Sequence, residues 1–232
     1  MTAATSSGRT RQACVWQNGT FTLLSIPGST TSALFSVNAS GIYIGGTANS
    51  NDPSSLDSGL IGQNGSYTLL RFGDELGRIA PSDINDSNWL VGQFAPTGGI
   101  RGFVARHDLA TGAQEFRDLG LFPGFAETYI GGINNSNTVV GAATPTLGAD
   151  FTKALIWPNG SLEPQDLNAM VNLPGATVIR GMDINNAGQI LAEARLDDGS
   201  GFAYFRLDPV VPEPAGIAVM GFAGVAVLRR RA

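Results

Sequence analysis

One pattern of apolar and polar positions recurs four times along this chain. An apolar residue precedes an asparagine; a serine or alanine and then a glycine or asparagine follow at the second and third positions after it. Two adjacent apolar residues and a glycine or alanine close the motif. The copies are Val37–Gly45, Ile84–Gly92, Ile133–Gly141 and Ile184–Ala192, so the leading asparagines Asn38, Asn85, Asn134 and Asn185 are 47, 49 and 51 residues apart. A period near fifty marks a propeller- or solenoid-like array of supersecondary units.

Each copy predicts a tight turn entering a strand. The leading Asn closes an Asx-turn by accepting from the backbone two residues on. Three positions later stand Gly41, Asn88, Asn137 and Gly188, the residue types that enter the left-handed region at least cost. The paired apolar residues Tyr43-Ile44, Leu90-Val91, Val139-Val140 and Ile190-Leu191 point to opposite faces of a strand, so both faces must be covered by other sheets. A second module follows each turn, with Asn64-Gly65 and Asn159-Gly160 set between apolar runs as hairpin signals. Asp108–Ala113 is a longer turn at the same place in the second unit. The expectation is an all-β, propeller-like array of about four to five four-stranded units over residues 12–208, with 1–11 as a disordered segment.

Composition narrows the function. The chain has 31 Gly and 12 Pro, is 14% charged, and Lys153 is its only lysine. Without the three arginines and one glutamate of the tail, the body carries 11 basic and 18 acidic residues, a net charge of −7, which argues against nucleic acid as a partner. Cys14 and His107 are single residues of their kinds, so the sequence offers no disulfide, no cysteine-based metal site and no catalytic triad. Cys14 is expected as a small buried hydrophobe beside Trp16, and His107 as a solvated strand residue. Trp16 and Trp157 share one repeat position and are expected to be packing residues.

Asp83 and Asp183 hold equivalent places before two of the turns, read either as turn-stabilising groups or as a carboxylate pair across a channel. Asn49–Asp52 and Asp197–Gly199 read as solvated turns rather than Ca²⁺ loops. Trp89 differs from its counterparts Ile42, Thr138 and Gln189 and is the candidate platform for stacking a sugar. No cofactor, metal or catalytic residue is expected.

The C-terminus has a separate logic. Val211-Pro212-Glu213-Pro214 holds the chain extended, an uncharged apolar run spans Ala215–Leu228, and Arg229-Arg230-Arg231 follows. As a helix those fourteen apolar residues span about 21 Å, short of a ~30 Å hydrocarbon core. Snorkelling arginines and local thinning absorb part of the deficit. The expectation is a Pro-rich linker over 209–214, then a membrane helix and its arginine cluster over 215–232, with the cationic end cytoplasmic and the body outside.

This order of parts resembles the PEP-CTERM sorting signal of bacterial surface proteins. The resemblance implies an exosortase-type membrane transpeptidase as partner, acting near Pro212-Glu213-Pro214, and delivery to the cell envelope or extracellular matrix. The body resembles HAF extracellular repeats at Ile133-Asn134-Asn135, Ile184–Gly188, Trp16–Gly19 and Trp157–Gly160, and departs from them where their histidine would stand. Met1–Arg11 shows no apolar core of a signal peptide, so a misplaced or truncated start is expected. Two functions stay open: a non-enzymatic surface or matrix repeat protein with a structural or adhesive role, or a propeller that binds or cleaves extracellular polysaccharide.

Overall fold

The computed structural model describes residues 11–48, 58–72, 78–96 and 98–209, together with the backbone of 222–228. Most of it is β-structure in small antiparallel sheets that do not close into a barrel. A hairpin of β1 (Cys14–Gln17) and β2 (Thr20–Leu23) comes first. Unit I contains β3 (Thr31–Val37), β4 (Ile42–Ala48), β5 (Ser58–Gln63) and β6 (Ser66–Leu69). Unit II contains β7 (Arg78–Ile84), β8 (Trp89–Ala95), β9 (Arg101–His107) and β10 (Gln114–Asp118). Unit III contains β11 (Glu127–Ile133), β12 (Val139–Thr144), β13 (Lys153–Trp157) and β14 (Gln165–Asp166). Unit IV contains β15 (Ala176–Ile184), β16 (Ile190–Leu196), β17 (Phe202–Pro209) and β18 (Phe222–Leu228). In every unit the strands pair with their sequence neighbours, so each sheet is a local meander.

The turns follow from residue chemistry. Gly41, Asn88, Asn137 and Gly188 have φ of 75°, 64°, 58° and 78°. Asn-Gly hairpins recur at 18–19, 64–65 and 159–160 with both residues at positive φ, the twist that suits two-residue hairpins. The first strand of every unit carries a register shift, at Leu34/Ser36, Pro81/Asp83, Ile130/Gly132 and Gly181/Asp183. A β-bulge of this kind bends the strand and increases its twist.

The core is split into one apolar cluster per sheet-to-sheet contact. The hairpin meets unit I through Ala13, Leu24, Ile26, Tyr43 and Leu60. Units I and II meet around Ile44, Ile61, Ile84 and Phe103. Units II and III meet around Val91, Ile133 and Trp157, and units III and IV around Val140, Ile156, Ile184 and Leu207. Both residues of each apolar pair are used, because one faces the unit before and the other the unit after.

The ends of the stack break this rule in opposite ways. Val37 is 63% exposed although its counterparts Ile84, Ile133 and Ile184 are 4–5% exposed. Leu191 is 40% exposed where Ile44, Val91 and Val140 are fully buried. Beside Leu191, Arg206 stands where Ile61, Val104 and Ile156 stand in the other units. Among the described residues, the outer face of unit IV is thus partly exposed and carries a charge.

Three expectations need correction. Cys14 is exposed, and Trp16 is 59% exposed, its ring tilted against Phe21 with centroids 4.4 Å apart. Their counterparts Leu155 and Trp157 are fully buried against unit II; no described unit stands before the hairpin to do the same for Cys14 and Trp16. His107 is buried rather than solvated. Burial lowers its pKa and the neighbouring Asp108 carboxylate opposes that effect.

The expected C-terminal helix is not shown. Phe222–Leu228 lies as a strand antiparallel to β17, and residues 210–221 and 229–232 lie outside the described residues, with Val211, Pro212, Glu213, Pro214, Arg229, Arg230 and Arg231 among them. No described helix is long and apolar enough to cross a membrane.

Candidate functional site

The four asparagine turns stack into a ladder on one end of the array. Within each turn the leading Asn uses its Oδ1 twice: Asn85 accepts from the N–H of Ser87 and of Trp89, both at 3.0 Å. Asn38, Asn134 and Asn185 repeat the arrangement. The Nδ2 reaches into the next unit. Asn38 donates to the carbonyl of Asn85 at 3.1 Å and to Oδ1 of Asn88 at 2.8 Å. Asn85 does the same to Asn134 and Asn137 at 3.0 and 2.8 Å, and Asn134 reaches the carbonyl of Asn185 at 3.3 Å. Asn185 turns back to Gln189 of its own turn.

The residue after each leading Asn forms a second rail that the sequence reading missed. The N–H groups of Ala39, Asp86 and Asn135 donate to the side chains of Asp86, Asn135 and Asn186, at 2.8, 2.9 and 2.8 Å. An acceptor side chain occurs in the three units that receive such a bond, while unit I has Ala39, and that asymmetry is the signal in the sequence. The Ala39 N–H, helped by Asn135 Nδ2, holds the Asp86 carboxyl below the usual aspartate range.

Asp83 and Asp183 are brought together on the first strands of their units. Asp183 Oδ1 and Asp83 Oδ2 lie 2.6 and 3.2 Å from the point where a Cβ on Gly132 would stand. The Asp83 carboxylate is already engaged. Its Oδ1 accepts from Ser36 Oγ at 2.7 Å and from the Ile84 N–H at 2.8 Å, and its Oδ2 from the Ile133 N–H at 2.9 Å. It therefore ties units I, II and III, and Asp183 makes the same bond to its own next residue, Ile184. Among the described residues no three His, Cys, Asp or Glu side chains group for a metal. Asp198 closes its hairpin by accepting from Ser200, while Asn49–Asp52 lies outside the described residues.

Glu127 is a buried carboxylate whose oxygens are occupied by four donors. It accepts from Thr144 Oγ1 at 3.1 Å, Gly148 N at 2.8 Å, Tyr129 Oη at 3.2 Å and Ile100 N at 3.3 Å. Burial raises its pKa, but these donors outweigh burial and bring it below the ordinary value. Burial and the adjacent carboxylate push Tyr129 up to about 12. A carboxyl lowered in the folded state stabilises above its unfolded pKa and loses that contribution as pH falls through the folded one. Wild-type stability should therefore drop as pH falls through and below the usual glutamate range. Glu127→Gln should be about 1–3 kcal/mol less stable at neutral pH and show a shallower acid limb in pH-dependent denaturant unfolding. Superimposable acid limbs would remove Glu127 from this account.

The grooves between units differ in one informative way. Trp89 lies half-buried between units II and III, with the guanidinium of Arg117 5.4 Å and that of Arg106 6.0 Å from its ring centroid. With Arg117 it leaves a cavity of only about 90 Å³. Between units III and IV, Thr138 and Gln165 occupy the positions of Trp89 and Arg117, and the groove opens to about 510 Å³. Its floor is Ile156, Ile184 and Met170, and its rim carries Ser136, Thr138, Asn159, Gln165 and Asn186. No charged residue is among the described residues that line it. Compared with known proteins, the chain matches no family model and no curated protein.

Proposed function

We propose that this chain is an exported repeat protein of the cell surface or extracellular matrix, propeller-like in the arrangement of its units, with a structural or adhesive role rather than a catalytic one. The supporting observation is the use made of its recurring polar residues. The leading asparagines, the residues that follow them and Asp83 are bound to neighbouring units. They act as fasteners between units. Such a body is built for persistence and display, not for presenting a reactive group.

Delivery rests on the tail. Its resemblance to PEP-CTERM signals assigns Val211–Pro214 as the segment recognised by an exosortase-type transpeptidase, and Arg229–Arg231 as the cytoplasmic stop. Membrane insertion requires Phe222–Leu228 to leave β17 for the bilayer, which would vacate the outermost strand of unit IV. Unit III shows how little that strand needs to be, because β14 is two residues long.

The test is fractionation with surface biotinylation in the host that makes the protein, comparing the full chain with a variant in which Pro212, Glu213 and Pro214 are all alanine. The full chain should be labelled from outside and held in the envelope or matrix, and the variant should be mislocalised. Equal recovery of both as unlabelled cytosolic protein would overturn the proposal.

A further inference from the structure

We infer that the groove between units III and IV is a binding site for an uncharged saccharide. This adds a ligand to the surface role and rests on that role only for where the ligand would be met. Three observations lead to it. First, the groove is open because of two residue positions. Its counterpart between units II and III is built on the corresponding strands but is filled by the Trp89 ring and the Arg117 side chain. Thr138 and Gln165 are too short to fill the equivalent space, and about 510 Å³ remains, within the ~300–1,000 Å³ typical of ligand clefts.

Second, the rim has the right chemistry. Sugar hydroxyls are both donors and acceptors, and carboxamides and hydroxyls satisfy them in either sense. Asn186, an exposed residue, commits its Oδ1 to the Asn135 N–H, and its Nδ2 has no partner among the described residues. The Gln165 carboxamide and the Ser136 hydroxyl engage no other described group. Third, the floor is aliphatic and the lining uncharged. Ile156, Ile184 and Met170 suit the C–H face of a pyranose ring. Nothing there would repay the desolvation of a uronate or sulfate.

Trp89, the residue the sequence offered as a sugar platform, is on this view a natural plug. Its ring packs beneath two guanidinium groups, and its position marks where a groove is closed.

The neighbouring groove supplies the decisive variant. Thr138→Trp should rebuild the plug in the open groove, as Trp89 does in the closed one. The full chain would be probed on immobilised neutral gluco-, galacto- and manno-oligosaccharides, with uronic-acid oligosaccharides alongside. The wild type should be retained by at least one neutral series. Thr138→Trp should weaken that retention at least tenfold with an unchanged circular dichroism spectrum. Gln165→Ala, an exposed substitution that breaks no described hydrogen bond, gives a second measure should the tryptophan variant fail to fold, and should weaken binding several-fold.

Retention only by acidic oligosaccharides, no retention at all, or unchanged binding by folded Thr138→Trp would each overturn the inference. So would unchanged binding by Gln165→Ala where the tryptophan variant does not fold. Binding is read on purified protein, so it stands or falls separately from the localisation experiment.

Discussion

Trp157→Ala is expected to lower the unfolding free energy by about 3–5 kcal/mol. Trp157 is fully buried in the cluster between units II and III, and its indole N–H donates to the Leu119 carbonyl at 3.3 Å. Truncation leaves a cavity lined by Val91, Leu155 and Ile133, and a carbonyl without its donor. The Trp16→Ala change, at the same repeat position, is expected to cost under about 1 kcal/mol, as exposed substitutions do. Calorimetry on both variants gives the check. At roughly 2–4 °C per kcal/mol for a chain of this size, the first should melt about 6–20 °C lower and the second close to wild type. Equal melting shifts would mean that the repeat position, and not the presence of a preceding unit, decides what the tryptophan contributes.

Gly141→Ala should be nearly as damaging, at about 3 kcal/mol, the upper end of overpacking costs. A Cβ on Gly141 would stand 2.1 Å from the Tyr129 carbonyl oxygen and 3.2 Å from Ile130 Cα. Both are backbone atoms beside the bulge, so relief requires moving the strand. Gly45 and Gly92 face the same obstruction, with carbonyl oxygens at 2.0 and 2.2 Å. Unit IV accepts Ala192 at this position and also carries an extra register shift, between Val178 and Arg180, which the other units lack. Hydrogen exchange should therefore show lost protection along β11 and β12 in Gly141→Ala, with β15 and β16 little changed. Native-like protection of β11 would show that the glycine is not required by the close approach of the two strands.

These two cases also show where sequence reasoning stops. The asparagine turns were legible because their chemistry is local. An Asn that caps its own turn, and a glycine or asparagine at positive φ, are needed whatever packs nearby. The four-strand units and the Asn-Gly hairpins were legible for the same reason. The second rail at Asp86, Asn135 and Asn186 was visible in principle, since the polar residue is missing only from unit I. It needed the geometry to show that a backbone N–H from the preceding unit was waiting for it.

Exposure was not legible, because repetition in sequence does not guarantee a neighbour in space. Cys14 and Trp16 share the pattern of residues that are buried elsewhere, yet no described unit covers them. The surroundings of the candidate platform were hidden for a related reason. Trp89 stood out because its position varies among the repeats, and only the structure shows its ring half-buried with the Arg106 and Arg117 guanidinium groups over it. Thr138 and Gln165, which leave the III/IV groove open, carry no signal until two units are seen side by side.

By itself, then, the sequence determined the repeat length, the turn conformations, the strand content of each unit and the acidic, lysine-poor surface. All of these depend on residues within about fifty positions of each other. Only the tertiary structure decided which apolar faces find partners, that Arg206 stands exposed beside Leu191, and that Phe222–Leu228 lies as a strand beside β17. An apolar segment requires burial but does not choose between a sheet edge and a bilayer; that choice depends on which surface is within its reach.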